Sequence, residues 1–125
     1  MWLFEMDSYK KNNMDIYFVQ CSRRNLDLVI FFSKYVTNMN TINQAFKHSI
    51  SCGNCEIAKW IYYNYNPSCD ILKLLRELDF WQSFVDVYDW LYSLLDDDEK
   101  NIFRTKCKKN SRNIHIDVRK WIAAL

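Results

Sequence analysis

A chain of 125 residues with 50% hydrophobic and 26% charged residues has the balance of a folded globular domain, and 17% aromatic residues exclude the composition of a disordered one. A formal net charge of +2 is too small to argue for nucleic acid by itself, and a single glycine excludes a glycine-rich phosphate loop. No run reaches the about 20 apolar residues needed to cross a bilayer, and five cysteines, being odd in number, cannot all pair internally, which favours thiols in a reducing compartment.

In chain order, an arm over residues 1–13 precedes a repeat domain over 14–125. The arm opens Met1-Trp2-Leu3-Phe4, which Glu5 interrupts with no basic leader ahead, so no secretory signal is expected and the cytoplasm, or a particle assembled there, is the expected location. A short helix is predicted from Asp15 to Cys21, followed by a second helix carrying Leu26-Asp27-Leu28-Val29-Ile30-Phe31-Phe32. After the break Asn38-Met39-Asn40-Thr41, the pattern restarts with a helix from Ile42 to Ser51 and another on Cys55-Glu56-Ile57-Ala58-Lys59-Trp60-Ile61. Asn64-Tyr65-Asn66-Pro67-Ser68 breaks it again, ahead of a helix from Asp70 to Phe80 and one on Val85-Asp86-Val87-Tyr88-Asp89-Trp90-Leu91. Asp96-Asp97-Asp98 then opens a helix from Glu99 to Lys109, and Ile116-Asp117-Val118-Arg119-Lys120-Trp121-Ile122 lies on the last.

The four longer segments share one order: apolar, acidic, aliphatic, two variable positions, aromatic, and aliphatic or aromatic. Their aromatic members set the period, since Phe31 to Trp60 is 29 residues, Trp60 to Trp90 is 30 and Trp90 to Trp121 is 31. A period near 30 signals stacked supersecondary units. Repeats are placed at about 14–40, 41–68, 69–97 and 98–125, each a pair of helices. Trp60, Trp90 and Trp121 share a register position and are expected to form a core ladder.

The second unit, Ala45-Phe46-Lys47-His48-Ser49-Ile50-Ser51-Cys52-Gly53-Asn54-Cys55-Glu56-Ile57-Ala58-Lys59-Trp60-Ile61-Tyr62, resembles an ankyrin repeat of the kind encoded by large DNA viruses. Gly53 matches that family's turn glycine, Asn54 stands where a histidine is usual and Cys55 where a leucine is usual. Trp90-Leu91-Tyr92 and Lys120-Trp121-Ile122 echo the same repeat ending. The family's Thr-Pro-Leu-His tetrapeptide is missing throughout. The resemblance implies an all-α, ankyrin-like solenoid of about four stacked helix-turn-helix repeats, with shortened or absent β-turn fingers. It also implies a protein-binding scaffold with no catalytic residues and no cofactor.

Cys52 and Cys55 have the two-residue spacing of a redox pair or half a zinc site, with His48 and Cys69 as further ligands, but no second such pair exists. The repeat register offers a simpler role, since Cys55 aligns with Leu26, Val85 and Ile116 and is expected to be a small buried hydrophobe. Asp96, Asp97 and Asp98 lack the spacing of a calcium loop and suit the start of a helix. His48 and His115 lie in different repeats without a nucleophile motif, so no enzyme is expected. Lys106, Lys108, Lys109 and Arg112 form a basic patch, which the charged outer face of a terminal repeat explains.

Trp81, Gln82 and Phe84 occupy the turn that the second repeat fills with small polar residues. Large rings at a normally wet turn are the material of binding hot spots. With Arg23, Arg24, Lys47 and Ser51 at the equivalent turns and first helices, they form the expected partner-binding set. The function expected is protein–protein interaction, with a host factor or another viral protein as partner. The alternative is a nucleic-acid-associated or virion structural protein using the basic fourth repeat or the apolar N-terminus.

Overall fold

A computed structural model describes residues 8–22, 24–36, 38–78, 82–109 and 114–125. Among them lie eight helices and no strand: α1 Ser8–Cys21, α2 Leu26–Ser33, α3 Met39–Ser51, α4 Cys55–Tyr65, α5 Ile71–Glu77, α6 Val85–Ser93, α7 Asp97–Lys109 and α8 Ile116–Ala124. The fold is all-α. It divides into two compact units, residues 1–68 with α1 to α4 and residues 69–125 with α5 to α8.

In the first unit α1 packs on α2 and on α3, α3 on α4, and α2 on α4. Helix α3 shows why, since Thr41, Ile42, Ala45, Phe46, Ser49 and Ile50 are its buried residues and fall on one helical face. Ile57, Ala58 and Ile61 of α4 and Val29 and Phe32 of α2 complete this core, with Met14 and Phe18 from α1. Rings join neighbouring helices: Tyr17 lies 5.8 Å from Phe32 and Phe46 lies 6.0 Å from Tyr62. The Tyr65 hydroxyl donates to the Ser33 carbonyl across 3.4 Å, tying α4 to the end of α2.

The second unit repeats the scheme, with α5 on α6 and α7, and α8 on α6 and α7. Leu74, Leu75, Val87, Tyr88, Leu91, Phe103 and Val118 form its core. Trp121 sits within 6.1 Å of Tyr88 and of Tyr92 and 5.9 Å from Phe103, and its Nε1 donates to Asp89 Oδ1 at 3.0 Å. The expectation that all three register tryptophans are core is corrected in part: Trp90 is buried, while Trp60 and Trp121 are only half-buried, and Trp60 meets Tyr65 of its own helix. A shared register position fixes direction from the helix axis; depth depends on what stands opposite.

Helix ends follow local chemistry. Between α3 and α4, Gly53 has a φ of 75°, its N–H donates to Ile50 O at 3.0 Å and the Asn54 N–H to Ser49 O at 2.9 Å. This is a Schellman close, which needs the left-handed region at the glycine. Asn54 then caps the next helix, its side chain accepting from the Ile57 N–H at 3.1 Å. After α4 the left-handed residue is Asn66, with φ 48°, followed by Pro67. Asn38, Asn25 and Asp70 cap α3, α2 and α5 with side-chain oxygens. Asp96 and Glu99 form a reciprocal capping box at α7: Glu99 N–H to Asp96 Oδ1 at 2.8 Å, and Asp96 N–H to Glu99 Oε1 at 3.2 Å. The acidic run is therefore a helix start, as its sequence suggested.

Some expected bounds move. Helix α1 starts at Ser8, ahead of Asp15, and α3 at Met39, ahead of Ile42, because Asn38 is the cap inside what reads as a break. Helix α5 stops at Glu77, short of Phe80.

Candidate functional site

The four second helices begin at the register's first residue: Leu26, Cys55, Val85 and Ile116. Their caps are therefore equivalent positions, Asn25, Asn54, Phe84 and His115. Three of them accept a hydrogen bond from the helix they open: Asn25 from the Leu28 N–H at 3.2 Å, Asn54 from Ile57, and His115 through Nδ1 from the Asp117 N–H at 3.1 Å. Phe84 cannot, and α6 starts without a side-chain cap. Replacing a polar cap by an apolar residue ordinarily costs about 1 kcal/mol.

The Phe84 ring is half-buried, Gln82 and Ser83 before it are exposed, and Glu77 at the end of α5 and Asp86 in the first turn of α6 are exposed. The Val85 N–H donates to Ser83 O at 2.8 Å, which draws the chain tight just before α6. Trp81, singled out beside Phe84 from the sequence, lies outside the described residues, as does Arg23. Arg24 is exposed in the first turn, and Lys47 and Ser51 are exposed on α3 of the second repeat. The Ser51 hydroxyl is spent locally on His48 O at 2.9 Å. Arg24 lies at the turn end of its hairpin, as Gln82 and Phe84 do in theirs.

Cysteine chemistry is placed by the same register. Cys52 is exposed at the C-terminal cap of α3. Cys55 is half-buried, as the first residue of α4, which corrects the expectation that it fills the core; Leu26 and Val85 are likewise half-buried and Ile116 is exposed. The first helical residue lies at the rim of the buried stripe, so its apolar character in every repeat does not make it core. Among the described residues no group of three or more His, Cys, Asp or Glu side chains converges as a metal site, and His48, Cys52, Cys55 and Cys69 do not form one. Burial pushes the Cys21 thiol up from its ordinary value and the Cys107 thiol up to about 11.

Of the basic patch, Lys106 is exposed on α7, while the side chains of Lys108 and Lys109, and all of Arg112, lie outside the described ones. Arg119 and Lys120 are exposed on α8. No helix among the described residues is long and apolar enough to cross a membrane. No protein-family model matches the chain, and comparison with curated proteins and with solved structures finds no match.

The missed signal was Phe84 as a cap. Asn25, Asn54 and His115 stand at one register position and can all accept from a helix N-terminus, and only aligning that position with the helix starts makes the exception visible.

Proposed function

We propose that this chain is a non-catalytic, ankyrin-like repeat protein that binds another protein through its hairpin turns, with the third turn as the anchor. Two features support the repeat reading. Within each unit, first helix packs on first and second on second, α1 on α3 with α2 on α4, and α5 on α7 with α6 on α8, as stacked repeats do. The connections between repeats are short, residues 66–70 and 94–96, matching a solenoid whose β-turn fingers are reduced.

Phe84 carries the binding reading. Where the chain's own pattern supplies a polar cap, an apolar ring stands half-buried and leaves α6 without a side-chain cap, with the exposed acids Glu77 and Asp86 before and after it in the chain. A position that gives up local stability without filling the core is a mark of function, and an apolar anchor with a charged rim is the anatomy of an interface. The resemblance to repeats of large DNA viruses makes the partner a host factor or another viral protein, met in the cytoplasm or a virion.

The test is the double variant Trp81→Ala with Phe84→Ala, compared with the parent in affinity capture from infected or native cells and in thermal melts. The expected result is an unchanged melting temperature and loss of the partner, at a cost of about 2 kcal/mol or more. A double variant that melts far earlier puts the rings in the core and moves the binding face to Arg23, Arg24, Lys47 and Ser51. Binding that collapses with a steep log-log dependence on salt points instead to phosphate contacts by the basic fourth repeat.

A further inference from the structure

The last of the second helices is built differently from the three before it. At the register's fourth position Val29, Ala58 and Tyr88 are buried, whereas Arg119 of α8 is exposed. At the first position Leu26, Cys55 and Val85 are half-buried, whereas Ile116 is 63% exposed. At the eighth, Ser33, Tyr62 and Tyr92 are half-buried and Ala123 is exposed. Together with exposed Lys120 at the fifth, these residues of α8 fall at i, i+3, i+4 and i+7 and share one side of the helix. The opposite side, Val118, Trp121, Ile122 and Leu125, is the one that is buried or half-buried.

The end of a solenoid has to be wet, but charge of either sign meets that need. Here one sign dominates. From Lys100 to Leu125 the chain has eight lysines and arginines against one acid, whereas residues 1–99 have nine against fourteen. The one acid, Asp117, lies off the outer side, its carboxylate 3.7 Å from His115 Nδ1. Among the described residues, Arg119 and Lys120 have no ion-pair partner. Solvation does not account for Ile116 either, since an isoleucine this exposed adds nothing to solubility. The same pairing recurs on α7, where Ile102 is 44% exposed and Lys106 is exposed one turn on.

Cations set beside aliphatic side chains discriminate among polyanions. A nucleic acid rewards exposed rings, which stack on its bases. The two rings of this repeat are spent on the interior of the unit: Phe103 is 1% exposed, and Trp121 packs on Phe103, Tyr88 and Tyr92. A lipid surface rewards what is exposed here, because lysine and arginine meet headgroup phosphates while an aliphatic side chain enters the boundary between headgroups and acyl chains. We propose that the outer side of α8, formed by Ile116, Arg119, Lys120 and Ala123, is a docking surface for an anionic lipid membrane, on which the nine-residue helix lies flat. The other side of α8 stays packed in its unit. Few apolar atoms face outward, so attachment is reversible and depends on the charge of the lipid. It is independent of the third turn, which stays available to a protein partner.

Co-sedimentation of the full chain with vesicles tests this, using phosphatidylcholine alone and phosphatidylcholine with about one-third phosphatidylserine. The chain should pellet with the charged vesicles only, and less so as salt is raised. Arg119→Gln with Lys120→Gln should weaken binding by about 25-fold, about fivefold for each charge removed. Ile116→Ser should weaken it by about fivefold, and Ile116→Trp should tighten it, because an indole suits the headgroup level. Far-UV circular dichroism should be unchanged in each, since all three side chains are exposed. Lys59→Gln, which removes a base from the same register position of α4, should leave binding as it is. Absence of binding to the charged vesicles, equal binding to both kinds, or a Lys59→Gln as damaging as Lys120→Gln overturns the proposal. A chain that binds a DNA duplex equally well, and is indifferent to Ile116→Ser with both ligands, is a nucleic-acid binder and overturns it too.

Discussion

Gly53 and Cys55 stand two residues apart and test opposite readings of one turn. Gly53 closes α3 at φ 75°, so Gly53→Ala should cost about 1 kcal/mol in urea unfolding and Gly53→Asn less, because asparagine tolerates the left-handed region. Cys55 opens α4, where the helix dipole favours a negative charge, so Cys55→Asp should fold normally while Ala58→Asp, fully buried one turn on, should not. Thermal melts of the pair decide it; equal destabilisation would return Cys55 to the core. The turn glycine was legible because only one residue type serves that backbone well. Burial of Cys55 was not, since aligned apolar residues reveal a shared register and say nothing of how far the stripe's rim is covered. The thiols also differ in chemistry. At pH 8 timed alkylation followed by mass spectrometry should mark exposed Cys52 first and Cys107 late, the latter pushed up to about 11 by burial. The raised value means that the unfolded chain releases this proton first as pH climbs. The contribution of Cys107 to stability is thus complete below its ordinary value of 9.0 and lost as pH rises through about 11, a slope that Cys107→Ala should flatten in urea titrations.

Helix starts are where sequence and structure meet most directly. Asp96 and Glu99 satisfy two N–H groups of the α7 terminus reciprocally, so Asp96→Ala should lower stability by about 1 kcal/mol, with Asp96→Ser recovering most of it in the same denaturation assay. Asp70 and Asp96 marked the starts of α5 and α7 to within two residues, because a cap acts within three residues. Bounds of the first helices were less legible: Asn38 and Met39 read as a loop, yet Asn38 caps α3 through the Asn40 N–H at 2.8 Å, so the break is the helix's own first turn. The end of α5 at Glu77 has no glycine or proline to mark it. The serines close other helices from within, Ser33 donating to Ile30 O at 2.6 Å and Ser49 to Phe46 O at 2.7 Å. Such back-bonding leaves no signature in a hydrophobic pattern.

For the molecule as a whole, the period near 30 residues predicted paired helices, and within each unit the pairs pack first on first and second on second. Circular dichroism should show a predominantly helical spectrum that a chelator leaves unchanged; loss of helix on chelation would return Cys52, Cys55, His48 and Cys69 to the role of ligands. What the period did not reveal is the unlike outer side of α8, because a repeat search rewards the positions that agree and Arg119 is one that does not. In each unit the principal pairings join a helix to its successor or to the one after that, so the segments between paired helices are short. Native contacts of this kind close with little loss of chain entropy. Each unit should therefore refold in microseconds to milliseconds, with a rate that core substitutions such as Ile61→Val change far less than the rate of a β-rich protein of equal size differs from it.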